Sequence, residues 1–141
     1  MKITEEDLKQ NCELEGYYIL SSRRMTNKFY NIRDLYCKNH NMILDYFEER
    51  IIDKNFDTVI GIGIGGALIG SGLAERLNKS LAIFRVERPS LGQPQGKCLL
   101  IDDVSSTGQS LHILEKWISD CGYSISQTII AIDRRKNVFQ S

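Results

Sequence analysis

The run from Leu99 to Ser110, LLIDDVSSTGQS, passes from an apolar strand to two adjacent carboxylates, then to a loop of small hydroxyl residues and glycine, and then into a helix. A short apolar run that feeds a helix in this way belongs in a parallel α/β sheet. The carboxyl end of such a strand is where open α/β sheets bind ligands. Asp102 and Asp103 are expected at that edge. Ser105, Ser106, Thr107, Gly108, Gln109 and Ser110 are expected to turn backbone N–H groups and a positive helix end toward an anion the size of a phosphate. Carboxylates beside a phosphate cradle suit a ligand that carries both hydroxyls and phosphate, such as a sugar phosphate. The plainer alternative is a surface strand–turn–helix whose Ser and Thr act only as caps. Against it, paired acidic residues at a buried strand end are costly unless something binds them.

The rest of the chain supports a sheet with helices on both faces. Strands are expected at Thr58 to Ile62, Leu81 to Arg85, Cys98 to Asp102 and Thr128 to Ile132. Between them lie helices from Gly66 to Asn78 and from Ser110 to Cys121, and a Gly/Pro-bearing loop from Val86 to Lys97. An amphipathic helix from His40 to Lys54 puts Ile43, Leu44, Phe47 and Ile51 on one face. Thr4 should open a short helix that Gly16 ends. Tyr17 to Leu20 and Lys28 to Tyr36 look extended, on either side of a polar turn. Residues 1–36 stand outside the strand–helix alternation and are expected to form a small hood over an α/β core of residues 37–135, in one domain of 141 residues.

Composition removes several classes of function. Lys+Arg and Asp+Glu both number 18, so nothing global points to nucleic acid or an anionic membrane. No apolar run is long enough to span a bilayer, and the first residues, MKITEED, are too acidic and polar for a signal peptide. Cys12, Cys37, Cys98 and Cys121 form no C-x-x-C pair and read as reduced thiols of a cytoplasmic protein. His40 and His112 lack metal-ligand spacing.

A second chemical element is Gly61-Ile62-Gly63-Ile64-Gly65-Gly66, which follows a strand and opens a helix. It satisfies G-x-G-x-x-G, so a dinucleotide site is a rival reading. That reading wants an acidic residue closing the next strand, where this chain has Arg85 with Glu87 beyond it, and it leaves Asp102 to Ser110 unexplained. Glycines here suit either close approach of a phosphate to the backbone or tight strand–helix packing.

Leu99 to Ser110 resembles the phosphoribosyl pyrophosphate (PRPP) motif of the type I phosphoribosyltransferases: a hydrophobic strand, two acidic residues and a Thr/Gly-rich loop. In that family the loop matching Ile64, Gly65 and Gly66 holds pyrophosphate. Gly16 to Arg33, GYYILSSRRMTNKFYNIR, is similar to the N-terminal hood of the orotate phosphoribosyltransferases, whose base-contacting aromatic pair falls on Phe29 and Tyr30. The family's Asp-Arg step after the last core strand falls on Asp133-Arg134, and an arginine fork suits a planar anionic base. The resemblance implies transfer of phosphoribosyl from PRPP to a pyrimidine base, orotate above all, with release of pyrophosphate. It implies Asp102 and Asp103 on the ribose hydroxyls, directly or through Mg²⁺ held largely by substrate, and Ser105 to Ser110 on the 5′-phosphate. It also implies Asp103 as a stabiliser of charge near C1 or a proton acceptor, Arg85 in the substrate site, and a homodimer with sites near the subunit interface.

The chain also departs from that family. Ser21 stands where a hood lysine is frequent, and Arg23 replaces a hood glycine. The segment from Val86 to Lys97 is shorter than the family's mobile loop and has Val86 at a usual lysine position, which leaves Arg88 as the nearby candidate for the catalytic cation. A second reading therefore stays open: a weakly catalytic or inactive PRPP- or nucleotide-binding regulator of the same fold.

Overall fold

The structure, a computed structural model, describes residues 2–19, 25–86, 90–105 and 108–134, without the side chains from 15 to 29. Thr4 opens helix α1 (Glu5–Cys12) with a reciprocal cap, its hydroxyl accepting from Asp7 N–H while the Asp7 carboxylate accepts from Thr4 N–H. The helix ends at Cys12, and Gly16 lies within strand β1 (Glu13–Ile19) rather than at a helix end. Leu8 and Cys12 are buried, and Glu13 turns extended to begin antiparallel pairing with β2 (Met25–Tyr30), Glu13 opposite Tyr30 and Leu14 opposite Phe29.

The segment expected to stay extended to Tyr36 turns helical instead. Asn31 accepts from Asp34 N–H at 3.0 Å and opens α2 (Ile32–Lys38), which buries Ile32 and Leu35 at helical spacing. Asn39 then caps α3 (His40–Arg50). That helix stops before Lys54 because Gln127 clamps its end, donating to Arg50 C=O at 2.6 Å and accepting from Ile52 N–H at 3.0 Å.

Strand β3 (Thr58–Ile62) leads straight into α4 (Gly63–Leu77), which starts three residues earlier than its sequence suggests. Then come β4 (Ser80–Phe84), β5 (Lys97–Ser105), α5 (Gln109–Asp120) and β6 (Ser124–Asp133). These strands form a parallel sheet in the order β4-β3-β5-β6. Side chains alternate between its faces. Val59, Leu99 and Ile101 share one buried cluster with Ile69 and Leu73 of α4, Ile43 and Phe47 of α3, and Leu8, Ile32 and Leu35 from the N-terminal elements. Ile60, Ile62, Cys98 and Leu100 share the other with Leu111, Leu114 and Ile118 of α5. The sheet is thus covered on both faces, as the strand–helix alternation requires.

The connection from β4 to β5 carries no helix among its described residues. Leu91 returns antiparallel beside Ile83, exchanging backbone hydrogen bonds of 2.7 and 2.9 Å. Pro94 is buried, and the Thr58 hydroxyl donates to Gln95 C=O at 2.9 Å.

Candidate active site

β3 connects through α4 to β4 on one side, and β5 connects through α5 to β6 on the other. The two adjacent strands therefore diverge at their carboxyl ends, and a crevice opens at this switch point. The last β3–β5 pair is Gly61 with Ile101, whereas β5 goes on pairing with β6 as far as Ser105 with Asp133. Asp102 and Asp103 thus lie inside β5 rather than at its end, past its last pair with β3. Alternation sends them to opposite faces. Asp102 is buried, and its Oδ1 accepts from Asp103 N–H at 2.8 Å. Asp103 turns to the α4 side, so close to Gly65 that a Cβ there would overlap its carboxylate. Its Oδ2 lies 3.8 Å from Nε of Arg33 on α2.

The glycines of the second element divide their work. A Cβ on Gly61 would strike the Gly66 carbonyl, and one on Gly66 would strike the Ile101 carbonyl, so these two serve close strand–helix packing. Gly63 has φ +67°, a left-handed turn that L side chains rarely adopt. Gly65 gives Asp103 its space. Ile64 is 69% exposed and shares a cleft of about 590 Å³ with Arg85, Leu68, Tyr36 and Leu91.

Helices α1, α2 and α3 are each capped by a side chain, whereas α4 and α5, which start at the crevice, have no side-chain cap among the described residues. Gly108 precedes α5 at φ +78°, and Gln109 and Ser110 form its first turn. An anion at either helix start would meet N–H groups that no intrahelical carbonyl takes up. Ser105 is buried at the end of β5. Ser106, Thr107 and Arg88 lie outside the described residues, as does the Phe29 side chain.

Arg134 is drawn to this edge by its backbone, its N–H donating to Ser105 C=O at 2.7 Å. Its guanidinium lies 4.9 Å from the centre of the Tyr30 ring, and Lys9 Nζ lies 5.5 Å from the same ring. Burial pulls the Arg134 guanidinium below its ordinary pKa, a shift Tyr30 partly opposes. Burial likewise raises the Tyr30 phenol, helped by the Glu13 charge and countered by Arg134. The structure thus joins Tyr30 to Arg134, and Asp103 to the α4 turn. Sequence reasoning gave no role to Arg33 or Lys9. Arg33 closes the hood run, and its helical setting after the Asn31 cap was the available signal. Among the described residues, no group of three or more His, Cys, Asp or Glu side chains is placed to hold a metal ion by itself.

No family model matches the chain. Its fold matches the crystal structure of orotate phosphoribosyltransferase from Aeropyrum pernix with a TM-score of 0.81 at 28% identity, covering 94% of this chain and 82% of that one. The chain has a phosphoribosyltransferase fold. An adenine phosphoribosyltransferase from Thermoanaerobacter pseudethanolicus shares it at a TM-score of 0.72 and 18% identity, covering 96% and 94% of the two chains. In sequence, the orotate phosphoribosyltransferase of Sulfurisphaera tokodaii is 29% identical over 135 residues, 87% of this chain and 68% of that protein. The phosphoribosyltransferase resemblance of the acidic pair and the hood therefore extends to the whole sheet.

Proposed function

We propose that this protein transfers the phosphoribosyl group of PRPP to orotate and releases pyrophosphate. The observation that carries this reading is the pairing of Asp102 and Asp103 with two helix starts at one switch point, in a chain similar to orotate phosphoribosyltransferases over most of its length. The α5 turn binds the 5′-phosphate, and the first turn of α4, with Ile64, Gly65, Gly66 and Arg85 of the adjoining cleft, receives the diphosphate. Asp102 and Asp103 hold the ribose hydroxyls. The C1–O bond breaks with its electron pair leaving on pyrophosphate, and a ring nitrogen of the base forms the new C1–N bond and gives up its proton. Asp103 stabilises positive charge near C1 or accepts that proton. Phe29, Tyr30 and Arg134 hold the base, and Arg88 supplies the loop cation.

Two carboxylates beside a polyphosphate suit Mg²⁺, which takes few protein ligands and completes its shell with substrate oxygens and water. Bound there, Mg²⁺ would neutralise charge on the leaving group. The protein acts as a cytoplasmic homodimer in which residues 1–36 serve as the hood of a single domain. Gly70 packs on Gly61 and Ala74 is buried, so these two small residues of α4 face inward. Leu68 is exposed on α4 beyond the turn that takes the diphosphate, and the two-fold contact falls there instead.

The return of Leu91 to β4 favours a second reading, a PRPP-binding regulator, because it ties the Val86–Lys97 segment back to the sheet. Incubation with PRPP, Mg²⁺ and a panel of bases, read as pyrophosphate release, separates the two. Release with orotate supports transfer, and binding without release supports the regulator. Asp102→Asn/Asp103→Asn should weaken PRPP binding in calorimetry. Unchanged affinity in that folded variant removes both.

A further inference from the structure

We propose that Arg33 binds the diphosphate of the phosphoribosyl donor and bridges it to Asp103. The inference rests on the PRPP reading above and assigns it a residue from outside the two loops. Arg33 lies on α2, whose Ile32 and Leu35 are buried, so its backbone is fixed by the core rather than by a loop. Its side chain is 48% exposed and reaches Asp103 Oδ2 through Nε at 3.8 Å. Asp103 in turn lies against Gly65, in the first turn of α4. One cation, one carboxylate and one helix start therefore meet at a single place.

Electrostatics gives the cation its use. A diphosphate at the α4 turn would lie beside the Asp103 carboxylate, and like charges at that range repel. A guanidinium in contact with that carboxylate offsets the repulsion. Nε is only one of five guanidinium donors, and the terminal nitrogens carry the other four in a fork that matches phosphate oxygens. The core fixes the α2 backbone before the ligand arrives, so binding has only the side chain left to order.

The test is calorimetry of wild type, Arg33→Gln and Arg33→Lys with three probes: PRPP with Mg²⁺, inorganic pyrophosphate with Mg²⁺, and orotidine 5′-monophosphate, which lacks the diphosphate. Loss of a charge-assisted hydrogen bond should weaken PRPP and pyrophosphate about ten- to hundredfold in Arg33→Gln, with lysine restoring part of it. Monophosphate affinity and melting temperature should stay near wild type. Equal PRPP affinity in Arg33→Gln overturns the assignment while leaving the PRPP reading intact. A loss of the same size for the monophosphate also overturns it, since Arg33 would then only shape the site. Wild-type protein that binds no PRPP overturns the underlying reading as well.

Discussion

Gly61, Gly65 and Gly66 would each collide with something if given a methyl group, but with different things. Gly61 meets backbone, which cannot move aside, whereas Gly65 meets the Asp103 carboxylate, which can rotate. Gly61→Ala should therefore cost about 1–3 kcal/mol of stability in a denaturant titration. Gly65→Ala should cost less stability and more function, since displacing Asp103 removes a carboxylate from the ribose. The comparison to make is melting temperature against PRPP affinity in the two variants. At this scale the sequence was informative about identity and less so about company. Asp102 and Asp103 were legible because two adjacent acids closing an apolar run are costly to bury without a ligand. The Arg33 contact was not, because its partner is 70 residues away and nothing local records it. Tyr30 was legible as an aromatic of the hood, but its neighbours Lys9 and Arg134 come from opposite ends of the described chain.

Among the elements, those with one dominant force were the easiest to read. β3 matches its expected span because Thr58 to Ile62 is buried at every position. β5 is longer than expected because pairing with β6 carries polar residues past the apolar run, and pairing is not written in composition. α2 reads as strand by its aromatic content, yet the Asn31 cap and the burial of Ile32 and Leu35 outweigh that propensity. The α5 start offers a direct test. Gly108→Ala must hold φ near +78°, at a cost of about 1–2 kcal/mol. It should also weaken orotidine 5′-monophosphate, and calorimetry beside a thermal melt reads both effects. The β4–β5 connection is shorter in reach than its residue count implies. With Leu91 fixed to Ile83, six residues separate Phe84 from Leu91, and half of that span reaches no more than about 10–12 Å. If Arg88 acts from there, Arg88→Ala should lower kcat more than it raises KM in steady-state assays.

For the whole molecule, burial of acidic protons makes a contribution to stability that is lost at alkaline pH. The Cys12 thiol is raised from 9.0 to about 11, chiefly by burial, and burial also raises the Tyr36 and Tyr46 phenols. The unfolded chain gives up the Cys12 proton near its ordinary value while the native chain keeps it. The contribution is therefore complete below about pH 9 and is lost as pH rises toward 11. Melting temperature should fall across that window, and less steeply in Cys12→Ala. Sedimentation at micromolar concentration should give twice the 16.1 kDa chain mass, returning to one chain in Leu68→Asp. A single-chain species that still binds PRPP would show that the site needs no partner. The contacts that bring Glu5 to Asp133 and Lys9 and Arg134 to one aromatic ring carry a kinetic consequence. Such distant pairings close late, after the local helices have formed. During synthesis the Tyr30–Arg134 contact cannot form until β6 has left the ribosome. On dilution from denaturant, regained ligand affinity should lag behind regained helical circular dichroism.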